Sequence, residues 1–185
     1  MLSLLVENLF KKLCTSNHFI NIIGLKDVNC DNIKELFDKI DRLKNNYSYQ
    51  IFDAKAIGGI EHLYFAAVNA LKAFNQGLNI SKTFSLELLL YVSGQRQISK
   101  AIEMVGVKND TKEIALVIIV QDKEIASKAN VSLSKIIGGT RDDSVLEIHD
   151  PVSISELYGL DNFYDNITTL KKILIERSAL LITQF

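Results

Sequence analysis

Ile114-Ala115-Leu116-Val117-Ile118-Ile119-Val120 is the stretch on which the fold turns. Its unbroken apolar run is rich in β-branched residues and is bounded by Lys112-Glu113 on one side and Asp122-Lys123 on the other. Such a run is far too short to cross a bilayer and fits a strand buried on both faces. Working outward, a strand is expected near Phe19 to Leu25, a helix from Ile33 to Lys44 and a strand near Tyr49 to Ala54. Gly58 and Gly59 turn the chain into a helix from Ile60 to Asn75, with Leu63, Ala67, Ala70, Leu71 and Phe74 inward and Gly77 as its stop. After Ile114–Val120 comes a helix expected to break near Asn130 to Ser132 and to end at Gly138 and Gly139. Pro151 marks a boundary, and Ile167, Leu170, Ile173, Leu174 and Ile175 belong to a final helix. The pattern predicts an α/β domain with a small central sheet covered by helices.

With 185 residues, 48% of them hydrophobic, and a mean hydropathy of +0.13, the chain has enough apolar material for one sizeable core. A single domain over residues 18–185 is expected, preceded by an extension over residues 1–17. In that extension Leu2, Leu5, Val6, Leu9, Phe10 and Leu13 form a helical stripe. It lacks the cationic leader and small-residue cleavage site of an exported chain, so it is read as an amphipathic helix docked on the domain or on a partner. Cys14 and Cys30 are too few for a disulfide framework or a zinc site and read as reduced thiols of a cytoplasmic protein. Net charge is −1, so any nucleic-acid contact must come from a local cluster of cations.

A catalytic inventory is poor. His18, His62 and His149 are widely spaced, without metal-ligand spacing and without a cysteine or serine in a nucleophile motif. His62, near the start of its helix, reads as a packed histidine with one hydrogen bond. Gly58-Gly59 and Gly138-Gly139 lack the lysine and the glycine spacing of a phosphate loop and read as turns. Asp142, Asp143 and Glu147 read as caps or a charged rim before they read as a magnesium site. No catalytic residue, metal or cofactor is expected.

The stretch with binding chemistry is Ser93-Gly94-Gln95-Arg96-Gln97-Ile98-Ser99-Lys100-Ala101-Ile102. A helix from about Phe84 to Val92 should stop at Ser93-Gly94, and a second should start near Gln95. Ile98, Ala101, Ile102 and Val105 would be its buried face, with Arg96 and Lys100 one turn apart on another. Free N–H groups at a helix start, beside two cations, suit a phosphate or carboxylate. Gln95 and Gln97 can address base edges. The competing reading leaves Ser93 as a cap and both cations in water. Glu87, costly to bury alone among Leu86, Leu88, Leu89 and Leu90, is expected to orient Arg96.

The run Ile80-Ser81-Lys82-Thr83-Phe84-Ser85-Leu86-Glu87-Leu88-Leu89-Leu90-Tyr91-Val92, the SGQRQI stretch after it and Gly106-Val107-Lys108 resemble the kinase-binding subunit of the KEOPS (EKC) tRNA-modification complex, the TPRKB family. Ile136-Ile137-Gly138-Gly139 and Asp142-Asp143-Ser144-Val145-Leu146-Glu147 are similar too, so the resemblance runs in order from about Ile20 to the C-terminus. It implies a non-catalytic, regulatory chain that binds the small atypical kinase/ATPase of that complex. It also implies help in recruiting tRNA through the single-stranded 3' CCA end for threonylcarbamoyl-adenosine formation by another subunit, with which contact is indirect. On that reading Lys82, Ser93, Gly94, Gln95, Arg96, Gln97 and Lys100 hold the nucleic acid, Glu87 supports them, and bases are splayed against Tyr91 or apolar side chains. Two other classes compete: a stand-alone module for a small carboxylate or phosphate, and an unrecognised enzyme using Glu87, His62 or the Asp142 pair.

Overall fold

The computed structural model describes residues 18–43, 47–160 and 166–183; the expected extension over residues 1–17 lies outside them. Four strands form one antiparallel sheet in the order β2-β3-β1-β4. They are β1 (Phe19–Lys26), β2 (Tyr47–Asp53), β3 (Ile114–Val120) and the short β4 (Thr140–Arg141). β3 is central, paired with β1 from Phe19↔Val120 to Leu25↔Ile114 and with β2 from Tyr47↔Val120 to Asp53↔Ile114. All seven of its residues are buried, because both faces of the sheet are covered.

Strand alternation divides the interior into two cores. Ile20, Ile22, Phe52, Ala115, Val117 and Ile119 face one way, and Ile23, Leu25, Ile51, Leu116 and Ile118 the other. The second face carries α1 (Ile33–Asp41) and α5 (Lys123–Ile137). The first carries α2 (Ile60–Gln76), α3 (Phe84–Ser93), α4 (Ile98–Val105), α6 (Pro151–Leu157) and α7 (Ile167–Leu180). Helix starts are written in the sequence: Asn32, Thr83, Asp122, Asp150 and Asn166 each accept a backbone N–H of the helix they precede. Pro151 opens α6 at its first turn, and Gly77 closes α2 in the left-handed conformation.

Three expectations need correcting. α1 ends at Asp41, not Lys44, and α5 runs unbroken through Asn130 to Ser132. Ala126, Ala129 and Leu133 keep its inward face apolar through the expected bend, and that burial outweighs the weak helix preference of Asn130 and Ser132. α4 begins at Ile98, not near Gln95, so Arg96 precedes the helix and shares no helical face with Lys100. No described helix is long and apolar enough to cross a membrane.

Candidate functional site

The site is a corner between two very different helices. α3 is buried from Glu87 through Ser93, since it packs against β2, α2, α4 and α7 at once. A helix surrounded on all sides must be apolar all round, which explains Leu88-Leu89-Leu90-Tyr91-Val92. Tyr91 is therefore 1% exposed and offers no face to a base, which removes the first of the two expected stacking surfaces and leaves the apolar side chains. Burial pushes its phenol up to about 12.

Glu87 sits in the first turn of α3, where the positive end of the helix favours a carboxylate. It is fully buried, and its oxygens are taken by two backbone groups. Ile80 N–H donates at 3.1 and 3.0 Å and Ser81 N–H at 2.7 Å. The expected pairing with Arg96 is replaced by these bonds, because charge-assisted backbone donors already pay for desolvating the carboxylate. Glu87 thus fixes the bend that carries the exposed Lys82.

Gly94 takes the left-handed conformation at the end of α3, φ +65°, and its N–H bonds the Leu90 carbonyl. Ser93 is buried: its hydroxyl donates to Leu90 O at 3.1 Å and accepts from Gln95 N–H at 3.2 Å. These two residues build the turn. Arg96 follows, exposed, with one guanidinium nitrogen donating to Leu181 O at 3.3 Å, so it also fastens the corner to the end of α7. Beside it, Arg177 of α7 donates to the Tyr158 carbonyl and lies under Gly94.

Residues 96 to 100 are all exposed. Gln97 stands at the cap of α4 without bonding the helix through its side chain, and the first turn of α4 holds no acidic residue. Every other described α-helix has a side-chain cap or an acid there. The N-terminus of α4 is left positive, with Arg96 and Lys100 adding to it. The expected apolar face of α4 is only half used: Ala101 and Val105 are buried, while Ile98 and Ile102 are 37% and 49% exposed. Sequence reading missed that exposure, since a stripe at helical spacing reads as core.

The other candidates resolve into structure. His62 is buried, accepts Gly58 N–H at 3.0 Å and packs edge-on to the Tyr158 ring. Asp142 caps the turn over Asp143–Leu146 and pairs with Lys26 at 2.8 Å, and Asp143 accepts Gly24 N–H and pairs with Arg141. No cluster of three or more His, Cys, Asp or Glu able to hold a metal occurs among the described residues. Cys30 is a buried free thiol; Cys14 lies outside those residues.

The fold is an α/β domain whose corner presents an uncapped helix start beside the exposed Arg96 and Lys100. The kinase binding protein CGI-121 family model matches residues 25–181, and the chain belongs to that family. It is 33% identical over 117 residues to the regulatory protein Cgi121 of Methanocaldococcus jannaschii, covering 62% of this chain and 72% of that one. It is also 37% identical over 78 residues to the KEOPS complex subunit Cgi121 of Pyrococcus abyssi, an alignment spanning 41% of this chain and 44% of that protein. The resemblance drawn from the sequence therefore holds for the family and its regulatory, non-catalytic character.

Proposed function

We propose that this chain is the kinase-binding regulatory subunit of a KEOPS complex and helps recruit tRNA by its single-stranded 3' CCA end, while the chemistry of threonylcarbamoyl-adenosine formation belongs to another subunit. The observation that carries the reading is the family match across residues 25–181. For the kinase/ATPase partner, the outward sides of α2 and α7 are suited. The two helices pack together and are tied by Lys171 and Glu61 at 3.2 Å. Exposed Phe65 lies one turn beyond Glu61 and exposed Ile167 one turn before Lys171, so apolar groups flank the ion pair.

For tRNA, the uncapped start of α4 is suited. Phosphates would meet Arg96, Lys100 and, from its own bend, Lys82. Gln95 and Gln97 would address base edges, and the half-exposed Ile98 and Ile102 supply an apolar surface for a splayed base in place of Tyr91. With a net charge of −1, affinity from this corner alone is modest and gains from the complex.

The test mixes the full chain with the kinase partner and with tRNA that has or lacks its CCA end. Co-elution with the kinase at micromolar concentration is expected, and Phe65→Asp should abolish it. Arg96→Glu should cost roughly 1 to 3 kcal/mol in binding intact tRNA, less at high salt, and change nothing for tRNA without CCA. Because Arg96 also bonds Leu181 O, melting curves are run in parallel. Equal binding across all tRNA combinations would end the recruitment reading.

A further inference from the structure

Away from the corner, a cavity of about 340 Å³ lies where the turn after β2, the start of β3 and the entry to α6 meet. Its volume is in the range of small-ligand pockets. Ala54, Ile57, Val145, Ile148 and Ile154 make its apolar lining, and charged side chains stand around it. Their charges are not equally available. Lys55 and Glu113 face each other at 3.9 Å and largely cancel. Asp150 is spent on α6, accepting Ser153 N–H at 3.0 Å and its hydroxyl at 2.6 Å. The Glu147 carboxylate has no hydrogen bond or ion pair among the described residues. Next to it, a ring nitrogen of His149, Nε2, lies 2.9 Å from Ser144 O; a carbonyl only accepts, so Nε2 carries a proton, and in the neutral ring Nδ1 is the acceptor.

An apolar floor with one uncompensated carboxylate and a spare imidazole acceptor selects a ligand with an aliphatic body and a positive head. An anion would meet Glu147 without a partner, and a neutral alkane would leave that charge unused. We propose that this cavity binds an aliphatic cation, an alkyl chain ending in an ammonium or guanidinium, with the chain on Ile57, Ile148 and Ile154 and the head at Glu147. Neither kinase docking nor the α4 corner uses these residues, so the proposal stands or falls separately from the function above.

The experiment records amide spectra of the full chain during titration with n-hexylamine, with hexanoate, and with Nα-acetyl-lysine amide. Hexylammonium should shift the amides of Ile57, Ile148 and Ser153 in a saturable way, and hexanoate should not. Glu147→Gln should weaken the ammonium roughly two- to fivefold, the size of one partly screened ion pair. Glu147→Lys should reverse the preference toward hexanoate; Glu147 is exposed, so neither variant disturbs packing. Tighter binding of the acetyl-lysine amide would assign the occupant to a lysine of a partner protein, and tighter binding of hexylamine to a free amine. Equal responses to hexylammonium and hexanoate, or shifts confined to residues outside the cavity, would overturn it.

Discussion

Glu87 shows how a fully buried carboxylate can be held by backbone alone. Its carboxylate holds Ile80 and Ser81 from the first turn of α3, so the cost of burial is offset two ways: by two N–H donors and by the helix end. Replacing it with alanine strands two backbone donors in a buried place. Glu87→Ala should lower stability by about 2 to 4 kcal/mol in urea unfolding, whereas Arg96→Ala, losing one half-exposed bond to Leu181 O, should cost under about 1 kcal/mol. Equal losses would mean that the two residues act as a pair after all. The sequence told that a buried carboxylate needed a partner; it could not tell that the partner was backbone seven residues upstream, because no periodicity records a loop folding back onto a helix start.

At the scale of elements, what was legible was what periodicity and caps encode. β3 was read to the residue, since seven apolar positions between charges leave no other register, and α2 and α3 were bounded within a residue, with Gly59, Gly77 and Gly94 as the signals. The start of α4 was misread because Gln95 and Arg96 are good helix formers, while Gly94 in the left-handed conformation redirects the chain, which passes through Gln95, Arg96 and the extended Gln97 before the next helix starts. That glycine therefore sets the angle at which the uncapped α4 is presented. Gly94→Ala should cost about 1 kcal/mol for the left-handed backbone. Gly77→Ala, at φ +68° with open space around it, should cost the same. Only Gly94→Ala should also weaken binding of CCA-ended tRNA; identical tRNA affinity in the two variants would detach the corner from recruitment.

Across the whole molecule, the helices of the first face are tied to one another and to the turn after β2 around His62. The ring accepts Gly58 N–H and meets the ring of Tyr158 at the end of α6, whose hydroxyl in turn lies 3.1 Å from Ala56 O and 3.2 Å from Val92 O at the end of α3. One buried imidazole and the tyrosine beside it thus link the Gly58 turn, α2, α3 and α6. Burial lowers the His62 pKa from 6.5 to about 4, and protonation would put a hydrogen where Gly58 N–H now points. Between those values the unfolded chain binds the proton and the folded chain does not, so stability is full above pH 6.5 and drains away as pH falls toward 4. Up to roughly 3 kcal/mol is at stake. Asp142, held down to about 2 by Lys26 and Ser144, acts lower: its contribution is present above the ordinary carboxylate value near 3.8 and is lost only as pH falls toward 2. Acid destabilisation should therefore come in two stages. Melting curves from pH 7 to pH 4.5 should fall for the native chain, while His62→Gln, less stable at pH 7, should stay nearly level over that window. Parallel slopes in the two proteins would show that the His62 knot does not govern the acid limb, and would leave the surface carboxylates as its cause.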